Sequence, residues 1–344
     1  MKLIRIAAAA LGALGALSGA AQAQEYVFKL HHFLSAKAPA HARMLEPWAR
    51  RVEANSGGKV KIEIYPAMSL GGKPPELIQQ VRDGVVDLVW TVNGYTPGAF
   101  PRTEAFELPG VFLNDPAAAN VAMRRMFDDE LSKDYDGVEV MFLHVHAGQG
   151  IHMVDKLVRK PEDFAGLKLR IPTRTGAWAI EALGAAPVAM PVPELPQALS
   201  KKVVDGALIP WEIIAPLRLQ QQTRYQIEGH DQTRIGTTTF QVSMNKARWD
   251  SLPDDVKKAF RDASDEDWLR EVGRIWRASD DAGIALAVSA GNEHVVLTPE
   301  ETDALLAALE PVQRRWIEEV SARGIDGAAL IARARALMAQ NASR

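Results

Sequence analysis

The chain contains no cysteine in 344 residues. Thiol catalysis, disulfides and cysteine-ligated zinc are therefore excluded, and a chain of this length can bury an adequate core without staples. It also lacks an excess of positive charge. Forty Lys and Arg stand against 43 Asp and Glu, a formal charge of −3, which leaves no basic footprint for nucleic acid. Past the N-terminus no apolar run approaches the ~20 residues of a membrane span. The usual catalytic signatures are missing too: no Gly-x-Ser-x-Gly elbow, no His-Glu-x-x-His, no phosphate-cradling glycine loop. Ser56-Gly57-Gly58-Lys59 fits Ser-x-x-Lys but falls at a helix end, where glycine is punctuation. Gly148-Gln149-Gly150 lacks the third glycine of a dinucleotide fingerprint. The carboxylate pairs Asp128-Asp129, Glu300-Glu301 and Glu318-Glu319 sit on helical patterns as solvated faces. A hydrolase is the competing class of reading, and no nucleophile–base constellation supports it. No catalytic residue, metal or cofactor is expected.

The N-terminus reads as an export signal. Lys2 and Arg5 form a basic region, Ile6 to Leu17 an apolar run, and Ala21-Gln22-Ala23 a small-x-small cleavage pattern. Cleavage is expected after Ala23, and no cysteine follows for a lipid anchor. Losing Lys2 and Arg5 takes the charge from −3 to −5. Roughly 320 residues would remain, which suits two lobes better than one.

Alternation marks strands at 25–30 and 60–65, and a buried-looking run at 85–90 marks a third; helical spacing fills 39–55 and 74–83 between them. This βαβαβ order predicts a largely parallel α/β sheet. A strand over 138–145 leads to a second α/β unit with strands at 167–171, 187–190 and 204–208 and helices at 161–165, 174–183 and 193–201. A strand over 237–244 returns to the first unit. One helical pattern runs from Pro253 to Leu286, carrying Val256, Phe260, Trp268, Val272, Ile275 and Trp276, and would span roughly 50 Å. Helices near 299–323 and 326–340 close the chain. Gly148, Gly150 and Gly236 mark two passages between the units and make a hinge expected there.

Arg170 is the prime candidate for function. It ends the alternating strand Gly166-Leu167-Lys168-Leu169-Arg170, and a guanidinium presents donors in a fixed fork that grips a carboxylate with two bonds. A lone strand-end arginine is ordinarily a solvated surface charge, so neighbours must decide. Trp90 and Trp211 each end a buried strand, where open α/β sheets place their ligands; the remaining tryptophans lie on or beside helical patterns as core. Asn93 and Gln149 are candidate neutral donors, and Phe106 is wall or core. His31 and His32 follow the first strand, and alternation turns only one of them toward a cleft; His32 is a candidate hydrogen-bond donor there. His144, His146 and His152 invite a metal reading, but nothing in their spacing requires tetrahedral ligation. Arg102 and Glu104 bracket a turn and are expected to pair with each other.

These features together resemble a known family. The markers are Leu70-Gly71-Gly72, Val81-Arg82-Asp83-Gly84-Val85-Val86-Asp87 and Phe106-Glu107-Leu108-Pro109, then Pro161 through Arg170, Met190-Pro191 and Val203-Val204-Asp205-Gly206. In this order they are similar to the periplasmic substrate-binding proteins of tripartite ATP-independent periplasmic (TRAP) transporters, of the C4-dicarboxylate-receptor type. The resemblance covers nearly the whole mature chain. It implies an α/β, two-lobed periplasmic binding protein fold with hinge strands and a long lobe-spanning helix, closing on a small organic acid. It implies that Arg170 pairs with the ligand carboxylate, that the His31–His32 loop touches the ligand, and that the partners are the membrane subunits of a permease.

The expected organisation is a signal peptide over 1–23, a first lobe with spanning helix over 24–146 plus 238–286, a second lobe over 147–237, and C-terminal helices over 287–344. The protein is expected to be a periplasmic monomer. Departures from the family shape the ligand. Gln149 stands where relatives carry a second arginine, Ala207-Leu208 replaces a polar pair after Asp205-Gly206, and Pro196 replaces a tyrosine. One clamp with aromatic walls favours an aromatic or branched 2-oxo or 2-hydroxy monocarboxylate; a sugar acid such as a uronate, or a C4-dicarboxylate, is the alternative.

Overall fold

The computed structural model describes residues 25–342; the signal-peptide reading lies outside them. Two sheets organise the chain. The first contains β1 (Tyr26–His32), β2 (Val60–Tyr65), β3 (Leu88–Val92), β4 (Val138–Val145) and β10 (Thr239–Asn245). The second contains β5 (Gly150–Met153), β6 (Lys168–Ile171), β7 (Ala186–Ala189), β8 (Gly206–Ile209), β9 (Tyr225–Glu228) and β11 (Glu293–Val296). Their orders are β2-β1-β3-β10-β4 and β11-β9-β5-β8-β6-β7. Strands β1, β2 and β3 pair in parallel, while β10 runs antiparallel between β3 and β4. In the second sheet β6 pairs in parallel with β7 and β8, and β5 runs antiparallel to β8 and β9. This is a two-lobed α/β fold. The chain crosses between sheets after β4, returns before β10, and crosses again through a long helix that ends just before β11.

Four local differences from the sequence expectations have physical causes. The third strand begins at Leu88, not Val85: Gly84 turns with φ +71°, Val85 is exposed, and the Asp87 carboxylate accepts the Lys29 N–H at 2.8 Å. The long helix is broken, with Asp254–Ala263 preceding Glu266–Ser289. Asp265 caps the second piece by accepting the Trp268 N–H, and the Ser264 hydroxyl accepts the Trp48 indole N–H at 3.0 Å. The spanning piece is 24 residues, about 36 Å at 1.5 Å per residue. The C-terminal region is not purely helical, since β11 adds an edge to the second sheet beside β9. Arg102 pairs with Asp134, and Glu104 with Arg174 across the lobes, so the expected Arg102–Glu104 bridge does not form.

Candidate functional site

The C-terminal ends of β3, β6 and β8 face one another across the crossings, and a cavity lies between them. Phe33, Trp90, Val92 and Tyr95 line it from the first lobe, with Thr238 and Phe240 on the returning segment. Arg170, Pro172, Val192, Pro210 and Glu212 line it from the second, with His146 and Gln149 on the outgoing crossing and Trp276 on the long helix.

Arg170 enters because β6 alternates: it is a central strand, and the residue is only 2 % exposed. Its Nε donates to the Met190 carbonyl at 3.0 Å and its Nη1 to the Leu208 carbonyl at 3.1 Å. These bonds to flanking strand ends fix the guanidinium plane. Tyr95 from the opposite lobe hydrogen-bonds it as well, while the Tyr95 hydroxyl accepts the Val192 N–H at 2.9 Å. Burial pulls the Arg170 pKa down, countered by Tyr95 and Glu194, yet a guanidinium stays charged. Arg170 forms no ion pair with any described residue; Arg174, nearby in sequence, is paired with Glu104 and Glu319. A buried cation without a counter-ion is a standing cost that an incoming anion removes.

The apolar wall is a stack. Trp90 lies between Phe33, 4.8 Å away and 9° from parallel, and Phe240, 5.2 Å away at 3°. Its indole N–H donates to His144 Nε2 at 2.8 Å, so His144 keeps its proton on Nδ1, and burial pulls its pKa down to about 3.

Four polar atoms on the cavity residues are buried without a partner. His146 Nδ1 accepts the Gly148 N–H at 2.9 Å, which leaves the ring proton on Nε2, an unpaired donor. Burial, then the neighbouring His144, Arg234 and Arg170, pulls the pKa of this imidazole well down. Gln149 spends its amide nitrogen on Thr238 Oγ1 at 2.7 Å and keeps Oε1 unpaired; it offers an acceptor, where the sequence suggested a donor. Glu212 Oε2 is the third, and the Trp276 indole N–H the fourth. Burial, then Asp280, pushes the Glu212 carboxyl well above the carboxylate range.

Of the seven residues singled out from sequence, the structure brings Arg170, Trp90 and Gln149 together and sends four elsewhere. Trp211 packs beneath Gly150, whose missing side chain makes room: a Cβ there would sit 2.2 Å from the indole. Its N–H and Nε1 donate to Asp280 and Gln226, and the Arg234 guanidinium covers its face at 4.1 Å. Asn93 is consumed by Tyr135, Thr239 and Gln241. His32 bonds His41 at 2.9 Å and the Leu34 N–H, and Phe106 is wholly buried in the core. No cluster of metal-ligating side chains occurs among the described residues. Sequence reasoning missed His146 and Glu212 as site residues, along with Phe33, Tyr95, Phe240 and Trp276.

Beside Phe106, Glu107 joins both lobes. Its Oε1 accepts from the Thr239 N–H and hydroxyl, and its Oε2 from the Thr175 hydroxyl at 2.8 Å. Burial, then Glu104, pushes its pKa up to about 7. The folded protein therefore holds a proton that the unfolded chain releases above about pH 4.5. That stabilisation is present at acid pH and is lost as pH rises through about 7. Buried His32, His144 and His152, all pulled down to about 3, act oppositely and destabilise as pH falls below 6.5. Glu107→Gln should remove the first dependence, so its urea midpoint should gain on the wild type between pH 5 and pH 8. Equal differences at the two pH values would contradict this assignment.

The family model described as bacterial extracellular solute-binding protein, family 7 (DctP) matches residues 30–319, and the chain belongs to that family. These are periplasmic receptors of TRAP transporters, which bind small solutes and work with a membrane permease rather than as enzymes. No helix among the described residues is long and apolar enough to cross a membrane. The fold superposes on a TRAP solute-binding protein from a marine metagenome, specific for aromatic acids and solved with 3-hydroxybenzoate. The TM-score is 0.90 and the identity 39 %, over 93 % of this chain and 100 % of that one. A TRAP solute-binding protein of Rhodoferax ferrireducens with copurified benzoate gives a TM-score of 0.88 and 36 % identity over 91 % of this chain and 98 % of that one. The C4-dicarboxylate-binding periplasmic protein of Rhodobacter capsulatus is 28 % identical over 93 % of this chain and 96 % of its own length.

Proposed function

We propose that this receptor captures an aromatic monocarboxylate and delivers it to a TRAP permease. One observation carries the reading: a single buried, unpaired arginine stands in the wall of a cavity otherwise dominated by stacked aromatic rings. The acid's carboxylate meets the free edge of Arg170, with the His146 Nε2–H as a neutral second donor, and its ring lies against the wall formed by Trp90, Tyr95 and Phe240. Among the described residues lining the cavity, Arg170 is the only lysine or arginine, so one negative charge is matched and a second is not; this disfavours a C4-dicarboxylate. A uronate would need more polar partners than this wall supplies. The relatives with benzoate and 3-hydroxybenzoate support the same choice.

Closure follows from the contacts. Only the closed arrangement brings Tyr95 of one lobe against Arg170 of the other, so an acid that touches both lobes shifts the population toward it. In this reading the leader is removed after Ala23 and the mature protein works in the periplasm as a monomer.

The test is a thermal-shift screen of ligand-stripped, refolded protein against benzoates, aliphatic 2-oxo and 2-hydroxy acids, uronates and C4-dicarboxylates. A ligand at about 100 times its dissociation constant adds ~2.7 kcal/mol of stability. The melting temperature should rise with aromatic monoacids and remain flat with succinate. A rise confined to succinate or uronates would overturn the proposal.

A further inference from the structure

Resting on the aromatic-acid reading of this cavity, we infer that Glu212, with Gln149 of the same cavity lining, reads a hydroxyl group on the ligand's ring, away from the carboxylate that Arg170 holds.

The cavity has two polar regions with different chemistry. Around Arg170 the groups are Tyr95, Glu194 and the Met190 and Leu208 carbonyls. Around Glu212 the charges that bear on the carboxyl are Asp280 and Arg234. Those two are already paired with each other at 3.1 Å, and Arg234 is paired with Glu228 at 2.7 Å, so Arg234 is not free to neutralise Glu212. An ionised Glu212 would thus be a second buried anion facing a cavity that takes anions. Protonated, it would offer one O–H donor and its remaining lone pairs as acceptors. Glu212 is 7 % exposed and Gln149 4 %, and their Oε2 and Oε1 atoms have no hydrogen-bond partner.

A buried polar atom left unsatisfied is unfavourable by about 1–3 kcal/mol, so a ligand that satisfies these two is selected over one that does not. A hydroxyl fits both. It accepts from the Glu212 acid and donates to the Gln149 carbonyl, where a hydrogen, methyl or second carboxylate on the ring would leave one or both unmatched. Pro210, Ile213 and Trp276 line the same cavity and supply no competing polar group apart from the buried indole N–H of Trp276. The placement is local to the sequence: Glu212 follows the end of β8 by three residues and Gln149 immediately precedes β5, and these strands pair antiparallel with Gly150 opposite Ile209.

The experiment is calorimetric titration of the ligand-stripped full-length mature protein with benzoate, 3-hydroxybenzoate, 4-hydroxybenzoate and 3-methoxybenzoate. At least one hydroxybenzoate should bind tenfold or more tighter than benzoate, and the methoxy compound, which cannot donate, should lose that gain. In Glu212→Leu the ratio of hydroxybenzoate to benzoate affinity should collapse to about 1. In Glu212→Gln, which keeps a donor and an acceptor, most of the ratio should survive. Wild-type affinities for benzoate and all hydroxybenzoates within twofold would overturn the inference without any variant, as would an unchanged ratio in Glu212→Leu. Failure of every benzoate to bind would instead overturn the aromatic-acid reading beneath it.

Discussion

Arg170→Ala is expected to weaken binding of the acid by tenfold at the least and by more than a hundredfold if the closed cavity stays dry. A hydrogen bond to a charged group contributes about 1.5–3 kcal/mol, and stranding one member of a buried ion pair costs about 3–5 kcal/mol. At 1.4 kcal/mol per decade these ranges span roughly one to more than three decades. The same substitution removes the donors to the Met190 and Leu208 carbonyls, so the ligand-free protein should also melt at a lower temperature. Arg170→Lys should lie between: one ammonium cannot serve both carbonyls and still present a planar fork. Calorimetry on folded variants, with melting of the ligand-free forms alongside, separates the two effects. Unchanged affinity in Arg170→Ala would remove the central residue from the site.

The second large effect is expected at Trp90. The indole is fully buried, stacked on both faces and hydrogen-bonded to His144. Trp90→Ala should lower stability by about 3–5 kcal/mol, the range for deleting a large buried aromatic, and His144 Nε2 would be left without its donor. Trp90→Phe keeps a ring between Phe33 and Phe240 and should lose markedly less. Urea unfolding of the ligand-free variants measures both. A loss below about 1 kcal/mol in Trp90→Ala, well short of what a buried aromatic ordinarily contributes, would show that the stack is not a support of the first lobe.

What the sequence revealed and what it hid follow from distance along the chain. Arg170 was legible because alternation over five residues set its side, and a buried strand end is where an α/β sheet meets its ligand. Trp90 was read as the end of a buried run; β3 continues past it to Val92, and it lines the cavity from within the strand. Trp211 satisfied the same rule yet lies beneath Gly150, because the side it faces depends on the antiparallel pairing of β5 with β8, and β5 is a four-residue strand too short to show a period. Its neighbour Glu212, one position on, reaches the cavity instead. Asn93 and Phe106 lie near the site in sequence, but the hydrogen bonds that hold Asn93 away from it come from Tyr135, Thr239 and Gln241, roughly 40 to 150 positions along the chain. His146 was read only as one of three histidines for a metal. Its actual signal is Gly148 two residues later, whose φ of +111° turns a backbone N–H onto Nδ1 and frees Nε2. The break at Ser264 was hidden because hydrophobic periodicity continues across it, and only the Asp265 cap and the distant Trp48 indicate the stop.

The most direct measurement of the central claim is a crystal structure of the protein with a bound aromatic monocarboxylate. The account predicts a carboxylate within ordinary hydrogen-bond distance of the Arg170 guanidinium, roughly 2.7–2.9 Å, and a ring against the Trp90–Phe240 wall. A carboxylate held elsewhere, with Arg170 still engaged only by Met190, Leu208 and Tyr95, would contradict it.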